Sequence, residues 1–230
     1  MGDDCSDVHP GMTVVSEMTP RRGEVHWLGE GIDYAWAWGL QRELLEQRVA
    51  GERGDTLLLL GHAPVYTAGR RSVPEDVLAQ LDAPLVETDR GGQTTYHGPG
   101  QLVGYPIVSL ADLGLGPRRY VAAVESALIA ALAEYGIPAH REQGLTGVWT
   151  AAGKVAAIGV KVSRGVTMHG FALNVATDLR AYDAIVPCGI GDRPVTSLHV
   201  LLGRAPDLKE AAYVVAEALG ASLGIAWRAR

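Results

Sequence analysis

Residues 147–175 read GVWTAAGKVAAIGVKVSRGVTMHGFALNV, and this stretch decides the fold. It holds three β-rich runs, Gly147 to Thr150, Lys154 to Ser163 and Val166 to Val175, divided by short turns that contain Gly153 and Gly165. β-Branched and aromatic side chains suit a pleated, half-buried surface, and short glycine-bearing breaks between such runs favour tight reversals. An antiparallel meander follows.

Upstream of the meander, Asp33 is placed as an N-cap, and Ala37, Leu40, Leu44 and Leu45 recur at helical spacing until Gly51 supplies a stop. A second helix is expected from Pro117 to Tyr135, ended by Gly136 and Pro138, with Val121, Val124, Leu128 and Leu132 as its core face. Asp207 followed by Glu210 opens a last helix that ends near Leu223. Thr56 to Leu60, Pro84 to Thr88 and Leu102 to Val108 read as further strands. Helices and strands fall in blocks rather than in strict alternation, so the expected class is α+β in layered α/β form, a single domain with a mixed, largely antiparallel sheet flanked by helices. Residues 1–22 mix Asp, Ser, Pro and Gly without periodicity and read as a flexible leader, leaving 23–230 as one catalytic domain.

Composition narrows the function. A chain of 230 residues with 47% hydrophobic content can fill one core. Its net charge of -6 argues against a nucleic-acid partner. The longest apolar run, Leu57 to Leu60, falls far short of the roughly 18 residues a membrane helix needs, so no membrane association and a cytoplasmic location are expected. Arg21-Arg22 reads as solvated surface charge, whereas Arg70-Arg71 and Arg118-Arg119 fit either that description or the docking of an acidic protein. No pair of His, Cys, Asp or Glu shows a zinc-ligand spacing, so no metal site is expected, and paired carboxylates for glycoside hydrolysis have no anchor.

Two segments carry candidate chemistry. Arg90-Gly91-Gly92-Gln93-Thr94-Thr95-Tyr96-His97-Gly98-Pro99-Gly100-Gln101 combines glycines with hydrogen-bonding side chains and runs into a strand, a composition that lets backbone approach a ligand closely. A bulged hairpin without a ligand is the other reading. It is neither a Walker loop nor a dinucleotide fingerprint. The second segment, Asp183 to Gly191, sets Cys188 between a proline and a glycine. With Cys5 as the only other cysteine, a disulfide framework is excluded. Cys188 is then a nucleophile or a small buried core filler, and the residues alone leave both open. A free thiol, with a pKa near ~8.5, is only about 3% thiolate at pH 7 and needs a nearby cation or base. Lys154, Lys161, His97 and His169 are the candidates.

Taken together, Arg90-Gly91-Gly92, Thr95-Tyr96-His97, Gly100-Gln101 and Tyr105, then Gly153 to Gly159, His169 to Asn174, Pro187-Cys188-Gly189-Ile190 and Thr196-Ser197-Leu198, resemble the signature of the lipoyl(octanoyl) transferases. The resemblance spans about Val25 to Leu223. It implies the biotin/lipoate protein ligase-like fold and transfer of octanoyl from octanoyl-acyl carrier protein to a lysine of a lipoyl domain in lipoate biosynthesis. It also implies a monomer without cofactor, whose acceptors are lipoyl domains of 2-oxoacid dehydrogenase and glycine cleavage complexes. By the same resemblance Cys188 is the nucleophile and Lys154 its partner. The acyl group would meet Arg90, Gly91, Gly92, Gln93, Thr94, Thr95, Tyr96 and His97, with Ala157, Ile158 and Gly159 and with Gly170, Phe171 and Ala172. Three other readings compete: an ATP-dependent lipoate or biotin ligase, a Cys-His thioesterase using His97 or His169, and a non-catalytic module that binds an acyl carrier.

Overall fold

The computed structural model describes residues 21–186 and 193–230. The Pro187-Cys188-Gly189-Ile190 motif and residues 1–20 lie outside the described residues. Eight strands form the main sheet: β1 (Arg21–Trp27), β2 (Asp55–Leu60), β6 (Gln101–Ile107), β7 (His140–Glu142), β8 (Leu145–Thr150), β9 (Gly153–Ser163), β10 (Val166–Asn174) and β11 (Ile225–Ala229). Their order is β11-β1-β2-β6-β10-β9-β8-β7. β1 is parallel to β2 and to β11, and every other neighbouring pair is antiparallel. The meander expected over 147–175 is β8-β9-β10. β1 takes in Arg21 and Arg22, two residues that the sequence reading assigned to the leader.

A smaller sheet has the order β4-β3-β5, from β3 (Val65–Ala68), β4 (Leu85–Glu87) and β5 (Thr95–His97). It was not foreseen as a separate unit.

The run Leu57 to Leu60 explains the layering. Successive side chains on a strand face opposite ways, so four consecutive leucines require cover on both faces. Leu57 and Leu59 enter a core with helices α2 (Pro117–Glu134) and α4 (Leu208–Leu223), while Leu58 and Leu60 enter a second core with α1 (Tyr34–Ala50). Each leucine removed from water stabilises the fold by about 1.5–3 kcal/mol. α2 and α4 present alanines to the core, including Ala127, Ala131, Ala211 and Ala212.

The helix boundaries follow the caps read from sequence. The Asp33 carboxylate accepts from the Trp36 amide at 2.8 Å to start α1, and Gly51 ends it at φ 75°. Asp207 accepts from the amides of Lys209 and Glu210 to start α4. A short helix, α3 (Leu198–Leu202), leads into it. Among the described residues, no helix is long and apolar enough to cross a membrane.

Candidate functional site

The glycine-rich segment does not run straight into one strand. It makes β5, turns at Gly98-Pro99-Gly100, and continues as β6. Alternation along β5 then divides the predicted residues: Thr95 and His97 line a cavity, whereas Tyr96 faces the other way and packs on Tyr66 and Tyr182. Thr94 also turns aside, its hydroxyl donating to the Asp76 carboxylate at 3.2 Å and lying 3.1 Å from the Ser72 hydroxyl.

Arg90 reaches back under the smaller sheet. Its guanidinium donates to the Thr67 carbonyl at 2.6 Å, to the Thr67 hydroxyl at 2.8 Å and to the Gly91 carbonyl at 3.1 Å. The Gly91 amide donates to Val160 on β9 at 3.0 Å, laying the loop directly over that strand. Only glycine permits this. A Cβ on Gly159 would stand 2.7 Å from the Gly91 carbonyl oxygen, and one on Gly69 would stand 2.4 Å from that of Gly92.

Opposite this loop, Ala157, Ile158 and Gly159 pair with Ala172, Phe171 and Gly170 across β9 and β10. All six line the same cavity, with a volume of about 270 Å³. Arg90, Gly92, Gln93, Thr95, His97 and Lys154 line it too. Gly91 does not, although its amide fixes the wall. Tyr34 on α1 and Val103 and Tyr105 on β6 also line it, as do Arg71, His169 and residues 144–146, and Tyr34 and Val103 were not foreseen as part of a site. Tyr34 and His97 do stack with ring centroids 6.0 Å apart, but this pairing joins residues too distant in sequence to show in any local pattern.

Lys154 stands at the start of β9 and is only 6% exposed. Its Nζ lies 5.4 Å from the centroid of Trp149, its cross-strand partner on β8. The Lys154 amide donates to Pro194 at 2.9 Å, and its carbonyl accepts from Thr196 at 2.9 Å. The chain that follows the Cys188 motif is therefore stitched to β9 at this lysine. On the near side of the motif, Val186 donates to the Asp76 carbonyl at 2.7 Å. Cys188 itself lies outside the described residues.

Two buried histidines, His97 and His169, line the cavity, and a third, His62, packs behind His97 with ring centroids 5.7 Å apart. Burial pushes His97 down to about 3 and His62 to about 4, so both are neutral imidazoles at physiological pH. His62 holds the Ile32 carbonyl at 2.8 Å and the Tyr105 hydroxyl at 2.7 Å. His169 is likewise driven to about 4 by burial, which outweighs the Asp89 carboxylate 2.9 Å from its Nε2. Asp89 also holds Lys161 at 2.6 Å, which occupies that lysine in an ion pair. His169 sits at φ 56°, a left-handed conformation strained for histidine, and its amide donates to Gln41 at 2.7 Å. Among the described residues no group of three His, Cys, Asp or Glu side chains is placed to hold a metal ion.

The described residues thus assemble a buried lysine, an uncharged imidazole and a pocket walled by glycines and alanines together with aromatic and aliphatic side chains. Such a pocket suits an alkyl chain ending in a carbonyl near Lys154.

A model of the lipoyl protein ligase A/B catalytic domain matches residues 33–220. An octanoyltransferase from Chloroflexus aggregans is 51% identical over 208 residues, covering 86% of this chain and 92% of that protein. One from Mycobacterium tuberculosis is 53% identical over 204 residues, covering 87% of this chain and 86% of that protein. Among solved structures, a bi-partite lipoate protein ligase from Thermoplasma acidophilum superposes with a TM-score of 0.70 at 17% identity, covering 91% of this chain and 87% of that one. A biotin protein ligase from Aquifex aeolicus gives 0.56 at 19% identity, covering 87% of this chain and 70% of that one. At those identities the two structures show a shared fold.

Proposed function

We propose, from the premise that this chain belongs to the lipoyl protein ligase A/B catalytic domain family, that it moves octanoyl from acyl carrier protein to a lipoyl-domain lysine through a thioester on Cys188. It is an octanoyltransferase of lipoate biosynthesis, by its relation over most of its length to octanoyltransferases. The finer steps rest on chemistry and on one observation. That observation is the position of Lys154, buried at the cavity wall on the strand to which the chain after Cys188 is anchored.

In this reading the Lys154 amine takes the proton of the Cys188 thiol. The thiolate attacks the carbonyl of the incoming thioester, the new C–S bond forms, and the carrier thiolate departs with the proton from Lys154. One thioester replaces another, so the step is close to isoenergetic. The acceptor lysine then attacks the octanoyl-cysteine. Its N–C bond forms, the C–S bond breaks, Lys154 takes a proton from the nitrogen, and the Cys188 thiolate is released. An amide is more stable than a thioester, so transfer proceeds without ATP. The free acceptor lysine, with a pKa near ~10.4, is almost wholly protonated at pH 7, which is why a base beside the acyl group matters.

Incubation with octanoyl-acyl carrier protein in the absence of ATP, followed by peptide mass spectrometry, tests the proposal. A hydroxylamine-sensitive octanoyl adduct on Cys188, discharged by a lipoyl domain, is the expected result. Active protein without such an adduct defeats it, and release of free octanoate instead of transfer would make the enzyme a thioesterase.

A further inference from the structure

A chain of side-chain hydrogen bonds runs from the cavity to the segment beside Lys154, and its polarity can be read without ambiguity. Asn174 donates from Nδ2 to the Thr196 carbonyl at 3.0 Å. A carbonyl oxygen only accepts, so the amide of Asn174 has one orientation, with Oδ1 toward Gln101. Gln101 Nε2 then faces three acceptors, that Oδ1 at 2.9 Å, the Tyr182 hydroxyl at 3.0 Å and the Tyr96 carbonyl at 3.2 Å, of which the two carbonyl oxygens can only accept. Tyr96 supplies a second fixed acceptor, independent of Asn174. Both anchors turn Oε1 of Gln101 toward His97, whose Nδ1 lies 2.7 Å away. Nδ1 must therefore carry the hydrogen, and Nε2, on the other side of the ring, keeps a bare lone pair. The ring lines the cavity.

We infer that Gln101 and Asn174 are positioning residues that lock His97 in the Nδ1–H tautomer, and that His97 Nε2 accepts one N–H of the attacking lysine amine. The inference rests on the transfer reading given above. A neutral amine has two hydrogens and one lone pair. Lys154 receives one hydrogen as the amide forms, His97 holds the other, and the lone pair is left facing the octanoyl carbonyl. His97 is an acceptor and not the base, because burial holds it down to about 3, far below the amine it contacts. Its stack on Tyr34 and the tilted contact with His62 at 5.7 Å fix the plane of the ring, so the direction of Nε2 is fixed as well. The relay ends on the Thr196 carbonyl, one peptide group away from the amide that binds Lys154. The two groups that grip the amine thus share one backbone anchor.

The test uses the full-length protein and separates the half-reactions. Nitrogen-15 NMR of histidine-labelled wild type is expected to show a protonated Nδ1 and an unprotonated Nε2 at His97 from pH 5 to pH 8. In Gln101→Leu, a second tautomer should appear. Discharge of preformed octanoyl-enzyme to a lipoyl domain should fall tenfold or more, and by a larger factor than octanoylation of Cys188 by a carrier thioester. Gln101→Glu removes the donors to Asn174 and Tyr96 and sets a carboxylate against Nδ1, which favours the imidazolium and a protonated Nε2; it should slow discharge as well and serves as the reporter if the leucine variant does not fold. An Nε2–H tautomer in wild type, equal slowing of both half-reactions, or unchanged discharge in Gln101→Leu would each overturn the inference. If wild type fails to acquire octanoyl at all, the transfer reading fails instead, and the tautomer measurement still stands by itself.

Discussion

Gly147 lacks a side chain where Lys154 needs space: a Cβ on Gly147 would lie 2.6 Å from Lys154 Cε and 3.3 Å from its Nζ. The backbone there, at φ 126°, also suits glycine alone. Gly147→Ala should push the lysine off Trp149 and cut octanoylation at least tenfold while the protein still folds. Thioester consumption together with circular dichroism checks this, and a fully active Gly147→Ala enzyme would show that the lysine position is not what matters.

Lys154→Arg keeps the positive charge but supplies no base. Some octanoyl should still accumulate on Cys188, and its discharge to a lipoyl domain should drop about 10²-fold or more. Intact-mass measurement of both proteins follows the two steps, and normal transfer by Lys154→Arg would rule out the proton role.

Gly104 on β6 carries the ring of Phe171, and a Cβ there would come within 2.1 Å of Phe171 Cζ. Overpacking of this kind costs about 1–3 kcal/mol, so Gly104→Ala should lower the unfolding free energy by that amount and displace the ring in the cavity wall. Adding Phe171→Leu should recover part of the loss, because the two changes share one contact. Denaturant titration of the four proteins in the cycle measures the coupling, and strict additivity would contradict the contact.

Stability should fall in mild acid. Unfolded histidines titrate near ~6.5, whereas burial holds His62 and His169 at about 4 and His97 at about 3. Between those values the unfolded chain binds more protons than the folded one, so stability is full above the unfolded pKa and is lost as pH falls toward the folded values. The charged groups around them do not reverse the sign: Arg90 works with burial at His97, while Asp89 opposes it at His169 without prevailing. The melting temperature should decline steadily from pH 7 to pH 4.5, and a flat profile across that range would refute the assignment.

Much of this was legible in the sequence because the signals are local. The Asp33 cap and Gly51 stop bound α1 within a residue, and Pro117 opens α2. The turns at Gly153 and Gly165 divide the meander where the strands reverse. The parallel pairing of β1 with β11 was not legible, because Arg21 and its partner Ile225 are almost a whole chain apart and Arg21-Arg22-Gly23 has no apolar run to mark a strand. In the candidate site, the motif 90–97 reads as one binding segment, yet strand alternation sends Thr95 and His97 inward and Tyr96 away. Which parity faces the cavity depends on pairing with β3, and no local feature encodes that choice. The roles of Gln101 and Asn174 were hidden for the same reason.

The hydrogen bond between Gln101 and Asn174 spans 73 residues, which bears on how the protein is made. At translation speeds of about 5–20 residues per second, Gln101 leaves the ribosome roughly 4–15 s before its partner exists. Until then Gln101 has only the Tyr96 carbonyl to orient it, and Lys154 still awaits Thr196. The pairing that orders this part of the site is therefore non-local, and it closes only after the later segment has been made.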